Sequence, residues 1–279
     1  PRRHRATKTT TQSILRDTEI MKAPNLFILG AQKAGTTYLG KAFSNHSEIF
    51  FSEPKELLFF HKPGLTKKDY RNYLLDYFAE AEDQRWRGEG STTYLQWPEA
   101  LPNIKRFVGG RPKFIICMRQ QTEKSISFFI HNWRRDRYPP GMSITQTVPM
   151  SIAFSPLVTG LYAPSIKRWL AEYPREDFLF LNFDWLREDP AKFVGAATEF
   201  LGVAPTTDIP DKLINAGLPL VWEGDKLTIA KTPEPGQVKP VFTPEELHEL
   251  HAMFQDDITE TEELTDLDLS AWREMPKFG

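Results

Sequence analysis

Short apolar runs alternate along the chain with longer segments whose apolar residues have helical spacing. The runs predict buried strands at Asn25–Gly30, Ile49–Phe51, Lys113–Met118 and Phe178–Phe183. The periodic segments predict helices at Thr37–Ser44, Lys67–Phe78, Thr122–Trp133, Leu161–Tyr173 and Pro190–Leu201. Strands that alternate with helices indicate an α/β fold, in which a central parallel sheet is flanked by helices on both faces.

The two ends of the chain have a different pattern. Thr206–Thr243 is rich in Pro and Gly and predicts an extended loop, which is uncommon on a domain of this kind unless it covers a site. An acidic helix over Pro244–Phe254 and a short element near Trp272 are predicted to follow. Residues 1–22 are basic and polar, so we expect a flexible tail or linker before a single domain of residues 23–279.

Composition narrows the classes of function. A formal net charge of −2 over 279 residues argues against a nucleic-acid partner held by overall charge. The single cysteine, Cys117, excludes an intrachain disulfide and favours a reducing, cytoplasmic location. No apolar run approaches the roughly 20 residues that a membrane span requires, so no span is expected.

The segment Gly30–Thr37 stands where an anion-binding loop belongs, between a predicted strand and a predicted helix. Its glycines, Gly30 and Gly35, have the spacing of a Walker A loop, which lets backbone amides converge on a phosphate. A Walker A loop has lysine directly after the second glycine, whereas here Thr36 follows and Lys33 lies within the loop. No predicted strand nearby ends in a magnesium-binding Asp. A P-loop kinase is therefore the weaker alternative, and no metal is expected.

Gln32 to Leu39 (Gln-Lys-Ala-Gly-Thr-Thr-Tyr-Leu) resembles the 5′-phosphosulfate loop of the sulfotransferase superfamily, especially its heparan sulfate branch. The resemblance implies 3′-phosphoadenosine 5′-phosphosulfate (PAPS) as donor and adenosine 3′,5′-bisphosphate (PAP) as product. It also implies that Lys33 stabilises the leaving group, as preorganised charge should. The residues that would hold the 5′-phosphate are Gln32, Lys33, Ala34, Gly35, Thr36 and Thr37.

A second phosphate site is implied at the end of the strand Lys113–Met118. Arg119 follows this strand and Ser127 comes eight residues later, and the family holds the donor's 3′-phosphate with Arg and Ser at this spacing. The carboxyl ends of strands are also where open α/β sheets bind ligands. Tyr162, in a segment that resembles a later family helix, is added to the donor-binding residues.

The family also places a catalytic glutamate just before paired phenylalanines, a pattern that Glu56, Phe59 and Phe60 resemble. The resemblance implies that Glu56 is the general base that takes the acceptor's proton. His61 is the alternative catalytic base, because an imidazole titrates near neutral pH and this one follows the phenylalanine pair.

One departure from the family affects the acceptor. Gly90 stands where heparan sulfate sulfotransferases carry a lysine close to the reacting sulfate, and their paired cysteines are absent. The donor assignment is unaffected, but a heparan-type acceptor is less strongly implied. The lysines that could replace the missing charge are Lys55, Lys62, Lys226 and Lys231.

These features predict a sulfotransferase that moves a sulfuryl group in line to a hydroxyl or amine. The acceptor class stays open among small molecules, glycans, lipids and carrier-bound groups. A non-catalytic module that binds PAPS or PAP is the alternative, because the chain lacks the lysine at position 90.

Overall fold

Five strands form one parallel sheet in the computed structural model, which describes residues 23–211 and 217–278. Their spatial order is β2-β3-β1-β4-β5. The strands are β1 (Leu26–Gly30), β2 (Ile49–Phe51), β3 (Trp86–Gly90), β4 (Lys113–Met118) and β5 (Phe178–Asn182). All ladders are parallel, so the carboxyl ends of the strands share one edge of the sheet, where α/β folds bind ligands.

Helices connect and cover these strands. Those within the α/β unit are α1 (Thr36–Ser44), α2 (Lys67–Tyr77), α3 (Ala100–Phe107), α4 (Gln121–Trp133), α5 (Pro156–Gly160), α6 (Ala163–Leu170), α7 (Phe183–Glu188) and α8 (Pro190–Leu201). Two more, α9 (Pro244–Ala252) and α10 (Gln255–Thr265), follow near the C-terminus. Short 3₁₀ turns occur at Phe59–His61, Thr145–Thr147, Arg175–Asp177 and Ser270–Arg273. The predicted α/β class and its parallel sheet are confirmed.

Strand β3 was not predicted, because Trp-Arg-Gly-Glu-Gly is not an apolar run. It nevertheless lies between β1 and β2, with Gly88 paired to Leu26 on one side and to Phe51 on the other. A Cβ at Gly88 would approach the Phe51 ring to 2.6 Å. The glycine therefore fits this position by making room for a neighbouring aromatic side chain.

The prediction of an extended loop over Thr206–Thr243 was wrong for its second half. Strands β6 (Leu220–Glu223), β7 (Lys226–Ile229) and β8 (Val241–Phe242) form a separate antiparallel sheet. A two-residue turn joins β6 to β7, and its first residue, Gly224, has φ 65, which glycine adopts without strain.

One predicted helix is shorter than expected, and one helix was not predicted. The segment predicted as one helix over Leu161–Tyr173 contains only α6, which begins at Ala163. Its first amides are capped from the acidic C-terminal region, since the Asp257 carboxylate accepts from the Tyr162 and Ala163 N–H groups at 2.9 and 3.0 Å. In that region α9 confirms the acidic helix predicted over Pro244–Phe254, and α10 is a further helix that was not predicted.

The predicted tail, residues 1–22, lies outside the described residues. Within the part of the chain that the structure describes, no helix combines the length and apolar character needed to cross a membrane.

Glu89 is an ionisable residue that β3 carries into the core, where its side chain is fully buried. Burial raises the pKa of Glu89 to about 7, against the opposing effect of the hydroxyls of Tyr73 and Tyr94. The Tyr73 hydroxyl donates a hydrogen bond to the carboxyl group. A buried acid of this kind is most stable when protonated.

We therefore predict that the wild-type protein is more stable at pH 4.5 than at pH 8, relative to a Glu89→Gln variant. Because its pKa is higher in the folded protein than in the unfolded chain, Glu89 stabilises the fold at pH values below the unfolded-state pKa. This stabilisation is lost as the pH rises through about 7. The difference between the two proteins should change by about 3 kcal/mol across this range. Urea unfolding at both pH values measures it, and parallel pH dependence in the two proteins would contradict it.

Candidate active site

The phosphate loop lies between β1 and α1, at the carboxyl edge of the sheet. Lys33 and Gly35 both have left-handed backbone conformations, with φ of 66 and 87. A Cβ at Gly35 would lie 2.7 Å from the Leu186 side chain, so glycine is required by both conformation and space. Helix α1 has no side-chain cap and no acidic residue in its first turn. Its first amides are therefore suited to an anion.

Positive charge surrounds this loop. Burial, followed by the charges of Arg119, Arg135 and Arg134, lowers the pKa of Lys33. No carboxylate lies within 4.0 Å of the Lys33 ammonium among residues 23–211 and 217–278. Cations that crowd together without an acidic partner favour a bound anion, because the anion relieves their mutual repulsion.

Arg119 connects the two predicted phosphate sites. Its Nε and Nη2 atoms bind the Glu123 carboxylate at 2.9 and 2.8 Å, and its Nη1 atom lies 3.5 Å from the Lys33 carbonyl oxygen. Arg187 also pairs with Glu123, so the two arginines share this carboxylate. The side chain of Arg119 is largely buried but remains adjacent to the loop.

Tyr162 supports Arg119 from within the core. Its side chain is fully buried, and its hydroxyl donates to the Arg119 carbonyl oxygen at 2.9 Å. This contact favours a supporting role for Tyr162 beside Arg119, and donor binding by Tyr162 stays a prediction. The tyrosine fixes the backbone from which the arginine projects.

Ser127 lies on α4, on the same strand–helix unit as Arg119, and its side chain is half-buried. A Cβ at Gly217 would lie 3.9 Å from the Ser127 hydroxyl oxygen, so the chain returns past this serine directly after residues 212–216. The predicted pairing of Arg119 and Ser127 on one phosphate stays a prediction.

The predicted base lies on the segment Lys55–His61. This segment is hydrogen-bonded to the stretch Gly90–Tyr94, which begins at the last residue of β3. The 3₁₀ turn at its end is anchored in the core, where Phe60 contacts Phe27 of β1 with ring centroids 5.9 Å apart. Three backbone amides of Lys55–His61 donate hydrogen bonds to the Gly90–Tyr94 stretch. The Glu56 N–H binds the Gly90 carbonyl oxygen at 2.9 Å. The Leu58 N–H binds Ser91 Oγ at 3.0 Å, and the Phe60 N–H binds the Tyr94 hydroxyl at 3.1 Å.

The Glu56 carboxylate is held by three donors. The Thr92 amide binds Oε2 at 2.9 Å, and the Thr92 hydroxyl binds Oε1 at 2.9 Å. The Lys55 ammonium lies 2.5 Å from Oε1. The side chain is still 38% exposed, so the carboxylate is fixed by these donors while it remains accessible to a substrate. These are the properties of a general base.

His61, the alternative base, has a different environment. Its Nε2 atom is 2.8 Å from the Thr93 hydroxyl, and its ring stacks on Trp97 with centroids 4.4 Å apart. Burial lowers the pKa of His61 to about 4, so the imidazole is neutral at physiological pH. Because these contacts hold the ring in place, they favour a positioning role over proton transfer, and catalysis by His61 stays a prediction.

Sequence reasoning missed the contribution of Thr92. This residue lies two positions after Gly90, but only the pairing of its segment with Lys55–His61 shows that its amide and hydroxyl bind Glu56. Arg187, Arg134 and Arg135 were missed as well, since exposed arginines in helices and turns carry no distinctive pattern.

Comparisons with known proteins agree with this geometry. Residues 23–216 match the model of the sulfotransferase domain family. Human bifunctional heparan sulfate N-deacetylase/N-sulfotransferase 2 is 26% identical over 201 residues, which cover 66% of this chain and 22% of that protein. The human type 3 enzyme is 25% identical over 201 residues, with coverage of 66% and 23%. The chain thus aligns with about a fifth of the length of these relatives.

A solved structure extends the similarity through the fold. The sulfotransferase from Alicyclobacillus acidocaldarius matches with a TM-score of 0.69 and 25% identity, over 91% of this chain and 100% of that one. The region that matches the family model, residues 23–216, contains the phosphate loop, the Lys55–His61 segment and the Arg119 strand end. From its sequence, fold and site geometry, the chain belongs to the sulfotransferase domain family.

Proposed function

We propose that this chain transfers a sulfuryl group from PAPS to a hydroxyl or amine acceptor, with Glu56 as general base. The observation that carries the proposal is the Glu56 carboxylate, which three donors hold in place while it stays accessible. It belongs to the same sheet edge as the phosphate loop, because Lys55–His61 pairs with the residues after β3 and the loop follows β1. A base and an anion site at one edge suit transfer chemistry.

The residues of this edge fit the two phosphates of the donor. The amides at the start of α1, together with Lys33 and the hydroxyls of Thr36 and Thr37, suit the 5′-phosphate. Arg119 and Ser127 suit the 3′-phosphate, and the Arg119 guanidinium already lies next to the Lys33 carbonyl. Gln32 and Ala34 complete the loop backbone around the 5′ site.

In the transfer step, Glu56 accepts the proton from the acceptor's O–H or N–H group. The acceptor atom forms a bond to sulfur as the bond from sulfur to the 5′-phosphate oxygen breaks. Lys33 stabilises the negative charge that develops on this leaving oxygen. The protein forms no covalent intermediate in this scheme, so its contribution is position and charge.

The acceptor proposed for first testing is a glycan amine. The relatives with heparan sulfate N-sulfotransferase names support it, although Gly90 departs from their branch. A panel of N-desulfated heparan sulfate, a phenol, a steroid alcohol and a carrier-bound β-hydroxyacyl group covers the acceptor classes left open. The cytoplasmic location expected from the sequence stays a prediction, which cell fractionation would test.

A non-catalytic PAP-binding module is the second candidate, since Gly90 removes a lysine found in the heparan sulfate enzymes. The accessible and fully hydrogen-bonded Glu56 favours catalysis over this alternative, because a binding module has no use for a positioned carboxylate. The two candidates differ in what the loss of that carboxylate should do.

Glu56→Gln should lower transfer of ³⁵S from labelled PAPS by roughly 10²–10⁴-fold, the usual contribution of a general base. Its affinity for PAP, measured by calorimetry, should stay within about threefold of wild type, because the amide keeps the Thr92 contacts. Glu53→Gln, at an exposed glutamate three residues earlier, is the matched control and should leave transfer unchanged. Equal transfer by Glu56→Gln and wild type would exclude Glu56 as the base.

Ser127→Ala should weaken binding of PAP by roughly tenfold, the typical loss of a hydrogen bond to a charged group. It should leave the affinity for adenosine 5′-monophosphate unchanged, because that nucleotide lacks the 3′-phosphate. Calorimetry with both nucleotides gives the ratio of affinities for each protein. A fall in both affinities by the same factor would show that Ser127 does not contact the 3′-phosphate.

A further inference from the structure

We infer that Lys55 supplies the positive charge that faces the transferring sulfuryl group, from a channel that Gly40 and Gly90 leave open for its side chain. This inference rests on the proposed function, and it assigns a further residue to the same site. It accounts for how a chain with glycine at position 90 provides cationic charge beside its base.

The two glycines leave room for the Lys55 stem. A Cβ at Gly90 would lie 3.2 Å from Lys55 Cε, and one at Gly40 would lie 3.6 Å from Lys55 Cδ. Neither glycine has a left-handed backbone, so conformation alone does not require glycine at either position. Gly40 and Gly90 come from different elements, α1 and β3, and both face the same side chain. The lysine stem shares the space beside both glycines with the Phe51 ring, which would lie 3.1 Å from a Cβ at Gly40 and 3.2 Å from one at Gly90.

This path brings the Lys55 ammonium to the base. Its Nζ atom lies 2.5 Å from Glu56 Oε1, and the side chain is only 19% exposed. A lysine held by a buried stem loses less freedom on pairing than a surface lysine does, so its position is better defined.

The Lys55 stem also passes the helix that begins at the phosphate loop, because its Cδ atom lies beside Gly40 of α1. Burial raises the pKa of the Cys117 thiol to about 12, and the Lys55 charge opposes this rise. The Cys117 carbonyl oxygen accepts a hydrogen bond from the Ala31 amide, the first residue of the loop, at 2.7 Å. The Lys55 stem thus lies between the end of β3 and the helix that follows the phosphate loop.

The chemistry of the step gives Lys55 a role at the moment of transfer. Before reaction its charge is paired with the Glu56 carboxylate. As Glu56 takes the acceptor's proton, that carboxylate becomes neutral and the ammonium is left without its partner. The sulfuryl oxygens and the nascent product then attract it, while Lys33 serves the leaving oxygen on the other side. Charge made available in the transition state lowers the barrier more than charge that binds the ground state.

The other candidate lysines lie elsewhere in the structure. Lys62 is exposed, with its ammonium 5.7 Å from the centre of the Phe59 ring. Lys231 is paired with Glu234 at 3.2 Å, and Lys226 is exposed on β7. None of these three is paired with Glu56 or packed on Gly90 in the residues that the structure describes.

Lys55→Cys followed by chemical modification tests the role of the charge. The only natural cysteine, Cys117, is fully buried with a pKa raised to about 12, so reagents should react at position 55 alone. Bromoethylamine restores an ammonium on a stem of lysine's length, whereas iodoacetamide gives an uncharged adduct of similar size. Transfer is measured with the panel acceptor that wild-type enzyme sulfates fastest.

The unmodified variant should lose roughly 10²-fold in kcat, as on removal of a group that stabilises transition-state charge. The ammonium adduct should recover most of this loss and the uncharged adduct should not, while PAP affinity and the unfolding midpoint stay near wild type. Lys62→Cys, treated identically, is the control and should keep wild-type transfer throughout. Equal recovery with both reagents, or an unmodified variant within threefold of wild type, would overturn the role of Lys55. Failure of wild-type enzyme to sulfate any acceptor would overturn the proposed function itself.

Discussion

The site depends on the pairing of Lys55–His61 with the stretch that follows β3. This pairing is made by backbone amides that bind a carbonyl, a serine hydroxyl and a tyrosine hydroxyl, and aromatic packing of Phe60 on β1 holds it in the core. Because the base belongs to one partner and its donor, Thr92, belongs to the other, neither segment forms the site alone. The buried acid of β3, Glu89, is bound by Tyr73 from α2, so the same region is tied to a third element.

Charge distribution explains why the rest of the edge accepts an anion. Lys33 lies near several arginines without an acidic partner within the described residues, and the chief carboxylate near Arg119 is shared with Arg187. Unbalanced positive charge in a half-buried setting is unfavourable until an anion enters. Glu56 and Lys55, by contrast, are an ion pair of opposite charges. The net charge of this pair changes when the Glu56 carboxylate takes a proton. In the proposed function, the cations around Lys33 serve donor binding and the Glu56–Lys55 pair serves transfer.

The strands, the phosphate loop and the base segment could be predicted from the sequence because each has a local signature. Apolar runs mark β1, β4 and β5, and glycine spacing marks the loop. Strand β3 could not be predicted, because glycine and glutamate are uncommon in buried strands. Here Gly88 makes room for the Phe51 ring, and Glu89 is buried. The contact of Thr92 with Glu56 was also hidden, since it joins residues 36 positions apart in sequence. Lys55 was one of four candidate lysines, and only its contacts with Gly90 and Glu56 distinguish it from the others. The burial of Tyr162 could not be predicted either, because a motif does not report burial.

The central claim is that the phosphate loop and Glu56 form one site, and a crystal structure of the complex with PAP tests it most directly. The account predicts that the 5′-phosphate binds the amides at the start of α1 beside Lys33, that the 3′-phosphate lies on Arg119, and that Glu56 stays on Thr92 and opens into the same cleft. A nucleotide bound away from Gly30–Thr37, or a Glu56 carboxylate separated by protein from the 5′-phosphate, would contradict it.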